Sequence, residues 1–182
     1  CSHVLISCII ASAFYYAKEY TNTMNYISLD DHKKAWVFRH KDLPVSEEDA
    51  ARIKPMSSER AAVLWSTMVS REFDHPDFFD KTDWCGKEES FSDEVNWEDA
   101  WENGDESLPQ AILDHLDWQA NTTVYFCMAR DNVIETTFDV FKRNWQNFMF
   151  LADGSLLIGK KRNTVVQFLE SGIAKLGEKP SA

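Results

Sequence analysis

The fold prediction starts from residues 123–137, which read TVYFCMARDNVIETT. Residues 123–128 are rich in apolar, aromatic and β-branched side chains, a composition typical of a buried strand. Asp131 and Asn132 predict a turn, and residues 133–137 then return with a similar composition. The stretch therefore predicts two consecutive strands that run in opposite directions.

The residues that follow predict further strands of the same sheet. The Asp-Gly pair at residues 153–154 is the strongest hairpin signal in the chain, and it predicts a turn between strands at residues 149–151 and 156–158. Residues 164–169 and 173–176 predict two more strands. Together these segments predict an antiparallel meander.

Helix signals occur mostly upstream of this sheet. A Ser or Asn that can cap a helix precedes each early helix that we predict. These caps are Ser28, Ser46, Ser57, Asn96 and Ser107. Residues 36–38, Trp-Val-Phe, predict a short strand, and residues 136–139 predict the cap of one late helix with four rings on one side. Those rings are Phe138, Phe141, Trp145 and Phe148.

The order of these elements predicts the fold class. Helices gather early and strands late, which favours α+β over alternating βαβ units. We expect several helices in the N-terminal two-thirds of the chain to pack on a mainly antiparallel sheet from the C-terminal third. The length of 182 residues is sufficient for one domain with a real core. We therefore expect residues 24–182 to form a single α+β domain with an acidic, aromatic insertion at residues 74–106.

Residues 1–23 form an apolar leader before Met24. Its apolar run at residues 4–17 is short for a membrane span, and an Ala-Ser-Ala sequence at residues 11–13 resembles a signal cleavage site without a basic region before it. We expect the leader to be a non-native or optional extension, with Met24 as the natural start. Its apolar side chains would then pack on the domain itself or on a neighbouring copy.

Net charge is the strongest deviation in composition. The chain carries a formal charge of −11, and residues 74–106 contain 13 acidic residues against Lys81 and Lys87, which accounts for all of it. A surface of this sign repels nucleic acid and anionic lipid and attracts cations or basic proteins. We therefore expect neither a nucleic-acid nor a membrane partner, and a protein partner would be basic.

The same segment is rich in large rings. Residues 73–84 read FDHPDFFDKTDW, with aspartates at every third position from Asp74 to Asp83, and Trp97 and Trp101 follow on one face of a predicted helix. Two interpretations are open. The segment is either a long surface loop whose rings anchor it while its acids face water, or a binding surface whose rings contact a partner.

Motifs for catalysis and metal binding are missing from the sequence. It has no Gly-rich phosphate loop, GxSxG, HExxH or CxxC pattern. His75 beside Asp74 and Asp77 could bind a metal, but it also suits a solvated turn, and His115 lies on an apolar helix face that is typical of a core histidine. Acidic surroundings raise the pKa of the Cys85 thiol and lower its reactivity. We predict no catalytic residue, cofactor or metal, and we expect an enzyme only if two titratable groups with shifted pKa values converge in a pocket.

Four stretches carry a resemblance to a known family. They are MNYISLDD from Met24, KDLPVSEED from Lys41, FKRNWQNF from Phe141 and GKKR from Gly159. They resemble an uncharacterised family of gammaproteobacterial proteins of unknown function, some of which are carried on mobile integron gene cassettes. The resemblance covers residue 24 to the C-terminus and implies no activity, cofactor or catalytic residue.

Three function classes follow from these observations. The leading hypothesis is a non-enzymatic cytoplasmic protein, with reduced cysteines, that binds a protein partner through its acidic, aromatic segment. The predicted contact residues are Asp77, Phe78, Phe79, Asp80, Trp84, Trp97 and Trp101. The alternative is a small-molecule-binding protein with an aromatic-lined pocket between helices and sheet. An enzyme is the third class, and self-association is compatible with all three.

Overall fold

The computed structural model describes residues 25–180, which contain six α-helices and seven strands. The helices are α1 (Glu47–Arg52), α2 (Ser58–Met68), α3 (Glu98–Glu102), α4 (Gln110–Leu116), α5 (Phe138–Arg143) and α6 (Trp145–Met149). The strands are β1 (Lys54–Pro55), β2 (Phe91–Asn96), β3 (Thr123–Ala129), β4 (Asn132–Thr137), β5 (Leu156–Gly159), β6 (Thr164–Phe168) and β7 (Ile173–Glu178). Short 3₁₀ helices span Leu29–Asp31, Ala35–Arg39, Pro76–Phe78, Trp84–Gly86 and Glu88–Ser90. The predictions for the leader and for Met24 concern residues 1–24, which lie outside the described residues.

All seven strands form one antiparallel sheet in the order β1-β4-β3-β5-β6-β7-β2. The quoted stretch supplies β3 and β4, which pair with Phe126 opposite Ile134. The predicted α+β fold is confirmed, and five strands come from the C-terminal third. The two edge strands, β1 and β2, come from earlier in the chain, so the sheet reaches further back than the sequence predicts.

Each face of the sheet carries its own hydrophobic core, because side chains alternate along a strand. Val124 and Phe126 of β3 lie in the first core, which includes rings from α5 and α6. Tyr125 and Cys127 lie in the second core with Trp65 of α2. The four rings predicted on one side of the late helix, which the structure divides into α5 and α6, are all buried in the first core.

The helix caps at Ser46 and Ser57 are confirmed. The Ser46 hydroxyl accepts the backbone N–H of Asp49, and the Ser57 hydroxyl accepts that of Arg60. Each bond satisfies a donor that the first turn of a helix leaves without a partner. These caps fix where α1 and α2 begin.

Two predicted strands are wrong. Residues 36–38 lie in a 3₁₀ helix, where Val37 and Phe38 turn into the first core while Trp36 stays exposed. Residues 149–151 lie at the end of α6 and in the turn after it. The Asp-Gly signal does mark a turn, since Gly154 has a φ of +72°, but a helix rather than a strand precedes it. Short apolar runs of three residues do not distinguish strands from helices.

Candidate functional site

Residues 74–106, which we call the acidic segment, wrap around one edge of the sheet. The segment first lies on the second core, through Phe79 and Trp84. It then runs along β7 as the edge strand β2 and continues into α3, whose Trp101 packs with Trp97 on the first core. The predicted insertion is therefore part of both cores and supplies a strand and a helix.

The rings of the first half pack inward on the second core. Phe79 lies 5.9 Å from Trp65, measured between ring centroids, and Trp84 stacks on Phe91 at 6.4 Å. Both Phe79 and Trp84 are half-buried. Phe78 differs from them, because it is 65% exposed at the end of the 3₁₀ helix Pro76–Phe78.

The rings of the second half pack inward on the first core. Trp97 lies edge-on to Phe168 at 6.4 Å, and Trp101 lies edge-on to Trp145 at 5.9 Å. Trp101 also contacts Phe150 at 4.6 Å, and Phe150 is 48% exposed. The five predicted contact rings therefore lie on two faces of the sheet and do not form one surface.

A tight turn in the acidic segment depends on Gly86. A Cβ atom there would lie 1.8 Å from the backbone oxygen of Asp80, so only glycine permits this approach. The turn is tied down on its other side by a hydrogen bond from the Ser70 hydroxyl to Asp83. Asp80 itself is exposed, and its carboxylate accepts hydrogen bonds from the hydroxyl and the backbone N–H of Thr82. These bonds lower the pKa of the Asp80 carboxyl.

The carboxylates of the acidic segment remain in solvent. Twelve of the 13 are exposed, and Asp83 is half-buried. Within the described residues, Asp74 is the only one of them paired with an arginine or lysine, namely Arg130. The predicted contact residues Asp77 and Asp80 are thus accessible beside Phe78, and the segment keeps most of its negative charge exposed to solvent.

A second feature is a cleft of about 910 Å³, which we call the charged cleft, between α1, α5, α6 and the loop before α4. The described residues that line it include five carboxylates and two guanidinium groups. These are Asp42, Glu48, Asp49, Glu106 and Asp139, with Arg52 and Arg143. Trp145 is the only ring among them, so this cleft differs in character from the aromatic-lined pocket of our alternative prediction.

Four of these charged side chains form one hydrogen-bonded network. Arg52 donates to both oxygens of Asp139 at 3.1 and 3.2 Å. Arg143 donates to both oxygens of Asp49 at 2.7 and 3.1 Å and to Asp139 at 3.2 Å. Asp49 is buried and also accepts the Asn144 side-chain amide at 2.9 Å. Paired planar groups of this kind hold each other in fixed orientations.

The shifted pKa values of Asp49, Asp139 and Arg143 favour the charged form of each of these three groups. The hydrogen bond from Arg143 lowers the pKa of Asp49 against the opposing effect of burial. Burial also raises the pKa of Asp139, but hydrogen bonds from Thr137 and Arg52 outweigh it and bring the value to about 2. The hydrogen bonds that Arg143 donates to Asp49 and to Asp139 raise the pKa of Arg143. A general acid or base needs a pKa near the working pH, so these groups act as fixed charges.

The sequence analysis did not predict the charged network, although the spacing of two of its members indicates one of its ion pairs. Asp139 and Arg143 stand four residues apart, a spacing that predicts an ion pair along one helix. The pattern could not show that Asp49 and Arg52, 87 to 94 positions earlier, would meet them. Contacts at such separations depend on how α1 packs beside α5.

Cys85, Cys127 and His115 occupy structural positions. Cys85 and Cys127 are buried, and burial, with the nearby Asp83 charge, raises the pKa of Cys85 to about 12. His115 lies within hydrogen-bonding distance of the carbonyls of Val165 and Gly177, as expected of a core histidine. Among residues 25–180 there is no group of three His, Cys, Asp or Glu that could hold a metal ion, and no helix long and apolar enough to cross a membrane.

Comparison with known protein families places the chain in a family. The model of a family described as Protein of unknown function (DUF2947) matches residues 26–177. No curated protein and no solved structure matches the chain. The match confirms that part of our resemblance which concerns a family of unknown function. Gammaproteobacterial origin and carriage on integron cassettes stay predictions.

Proposed function

We propose that this chain, which belongs to the DUF2947 family of unknown function, is a non-enzymatic binding protein. The proposal rests on the geometry of the acidic segment. This segment docks a basic protein partner. The observation that carries this proposal is the set of exposed carboxylates, of which only Asp74 has an arginine or lysine partner in the described chain. Such a surface accelerates encounter with a basic partner and selects against acidic ones.

The ring that suits this role best is Phe78. It is 65% exposed, and the exposed carboxylates of Asp77 and Asp80 stand near it in the chain. Aromatic side chains that become desolvated at an interface supply much of its binding energy, whereas rim charges mainly set the rate of association. Phe79, Trp84, Trp97 and Trp101 stabilise the segment that presents Phe78, and contact the partner only through their remaining exposed edges.

The test selects ligands from a random peptide library displayed on phage, with the protein immobilised at low salt. We expect peptides rich in Lys and Arg, with binding that weakens at least about tenfold between roughly 50 and 300 mM NaCl. Phe78→Ser should weaken binding about tenfold or more. The matched control is Val63→Ser, since Val63 is 69% exposed on α2 outside the acidic segment.

Three results would contradict the proposal. They are selection without basic peptides, binding that is independent of salt, and equal losses in the Phe78 and Val63 variants. Equal losses of binding would mean that exposed apolar side chains outside the acidic segment bind the peptides as well as Phe78 does, so the acidic segment would have no special role.

A further inference from the structure

The charged cleft contains a guanidinium group with unused donors. Arg143 uses Nε and Nη2 to bind Asp49 and Asp139, while its Nη1 makes no hydrogen bond within the described part of the chain. The side chain is 53% exposed and lines the cleft. A free donor on a charged group beside a concave surface is suited to an acceptor on a ligand.

This guanidinium group is held rigidly. Asp49, which binds it through both oxygens, has a side chain that is 8% exposed and is itself held by Asn144. The backbone N–H of Asp49 is fixed by the Ser46 hydroxyl at 3.1 Å. Since the partners are already in place, a ligand would lose little entropy in ordering the site.

The remaining charges select the ligand. Asp49 and Asp139 balance the two arginines, and the exposed carboxylates of Asp42, Glu48 and Glu106 leave the cleft with excess negative charge. A phosphate or a dicarboxylate would meet these rim carboxylates and be repelled. A simple cation would bind the rim but would leave Nη1 of Arg143 without an acceptor.

We infer that the charged cleft binds a small zwitterion of net positive charge, for which a basic amino acid is the simplest example. Its carboxylate accepts from Nη1 of Arg143, and its cationic groups lie near Glu48 and Glu106. The cleft volume of about 910 Å³ accommodates such a molecule with room for a longer one. Glu106 belongs to both the acidic segment and the charged cleft, but Phe78 and the other predicted contact residues lie outside the cleft lining, so the Phe78 variant and the L-arginine titration test the two proposals separately.

The experiment titrates the full chain with L-arginine, agmatine, glutarate and inorganic phosphate, observed by amide NMR shifts and calorimetry. Agmatine lacks the carboxylate, and glutarate lacks the cation. We expect L-arginine to bind at least about tenfold more tightly than the other three, with shifts among residues 139–147. The double variant Glu48→Gln with Glu106→Gln should weaken L-arginine binding about three- to tenfold, because both carboxylates are exposed and their loss leaves the fold intact.

The matched control is Glu89→Gln with Glu94→Gln, which removes the same charge from exposed positions outside the cleft lining. Absence of L-arginine binding at about 10 mM would overturn the proposal. So would equal binding of agmatine, tighter binding of glutarate or phosphate, or equal weakening in the two double variants. Shifts confined to residues 74–104, none of which lines the charged cleft, would place L-arginine elsewhere and would overturn the proposal too.

Discussion

Two buried tryptophans differ in one hydrogen bond. Trp65 and Trp145 are 0% and 1% exposed, in the second and the first core. The indole N–H of Trp65 donates to the Phe73 carbonyl at 2.7 Å, whereas that of Trp145 has no acceptor among the described residues. A buried N–H that has no acceptor loses its hydrogen bond to water on folding and gains no hydrogen bond within the protein. The two indoles therefore contribute differently to stability although their burial is alike.

Substituting each tryptophan by phenylalanine separates these contributions. Both changes remove a similar ring volume, but Trp65→Phe also deprives the Phe73 carbonyl of its closest donor. We expect Trp65→Phe to lower the free energy of unfolding by about 1–2 kcal/mol more than Trp145→Phe. Urea denaturation of both variants measures the difference. A larger loss for Trp145→Phe would mean that its indole N–H is satisfied in solution.

The ion pairs that join α1 to α5 make stability depend on pH. The pKa of Asp139 falls from an ordinary 3.8 to about 2 on folding, despite its burial, because of bonds from Thr137 and Arg52. A carboxyl whose pKa is lowered by folding stabilises the protein above its ordinary pKa, and this contribution is lost as pH falls through the folded value. The window therefore lies between about pH 4 and pH 2.

Asp139→Asn tests this contribution. We expect the variant to lose about 1–2 kcal/mol of unfolding free energy near pH 7, with the deficit closing as the pH falls from about 4 to 2. Denaturation curves across this range measure it. Asp153→Asn is the control, because Asp153 is an exposed turn residue outside the network. A deficit for Asp139→Asn that is constant with pH would assign the loss to packing instead.

Elements with strong local signals were predictable, and those fixed by distant contacts were not. Ser46 and Ser57 cap their helices through bonds to neighbours three residues away, and β3 is apolar along its length. Strand β2 carries Ser, Asp and Glu among its six residues, and it becomes a strand because β7 offers its edge. Charged side chains are common on edge strands, where they discourage pairing between molecules. The sequence of β2 could not reveal that the edge of β7 would be available for pairing.

The candidate site shows the same division. The sequence located the concentration of charge and rings in residues 74–106, because composition alone reveals it. It could not show that Phe79 faces Trp65 while Trp101 faces Trp145, since the two pairs lie on opposite faces of the sheet. Which ring remains exposed depends on where the segment crosses the sheet edge, and only Phe78 of the five is mostly accessible.

The whole molecule folds against the repulsion of its own acidic segment. The net charge of −11 lies within 33 consecutive residues, from Asp74 to Glu106, and among residues 25–180 only Asp74 of these carboxylates forms an ion pair with an arginine or lysine. Salt screens repulsion between exposed charges over about 8–10 Å at physiological strength. The exposed ion pairs that salt would weaken, such as Arg39 with Asp30, contribute little to stability. Added salt should therefore stabilise this protein.

We expect the free energy of unfolding to rise by about 1 kcal/mol between roughly 0.02 and 0.3 M NaCl. The triple variant Glu89→Gln, Glu94→Gln, Glu102→Gln should be more stable than the parent at low salt and should respond less to NaCl, because it removes three of the repelling charges. Thermal denaturation across the salt series measures both effects. If the parent protein loses stability as NaCl is added, attractive ion pairs outweigh the repulsion. If the triple variant responds to salt as the parent does, the repulsion arises outside the acidic segment.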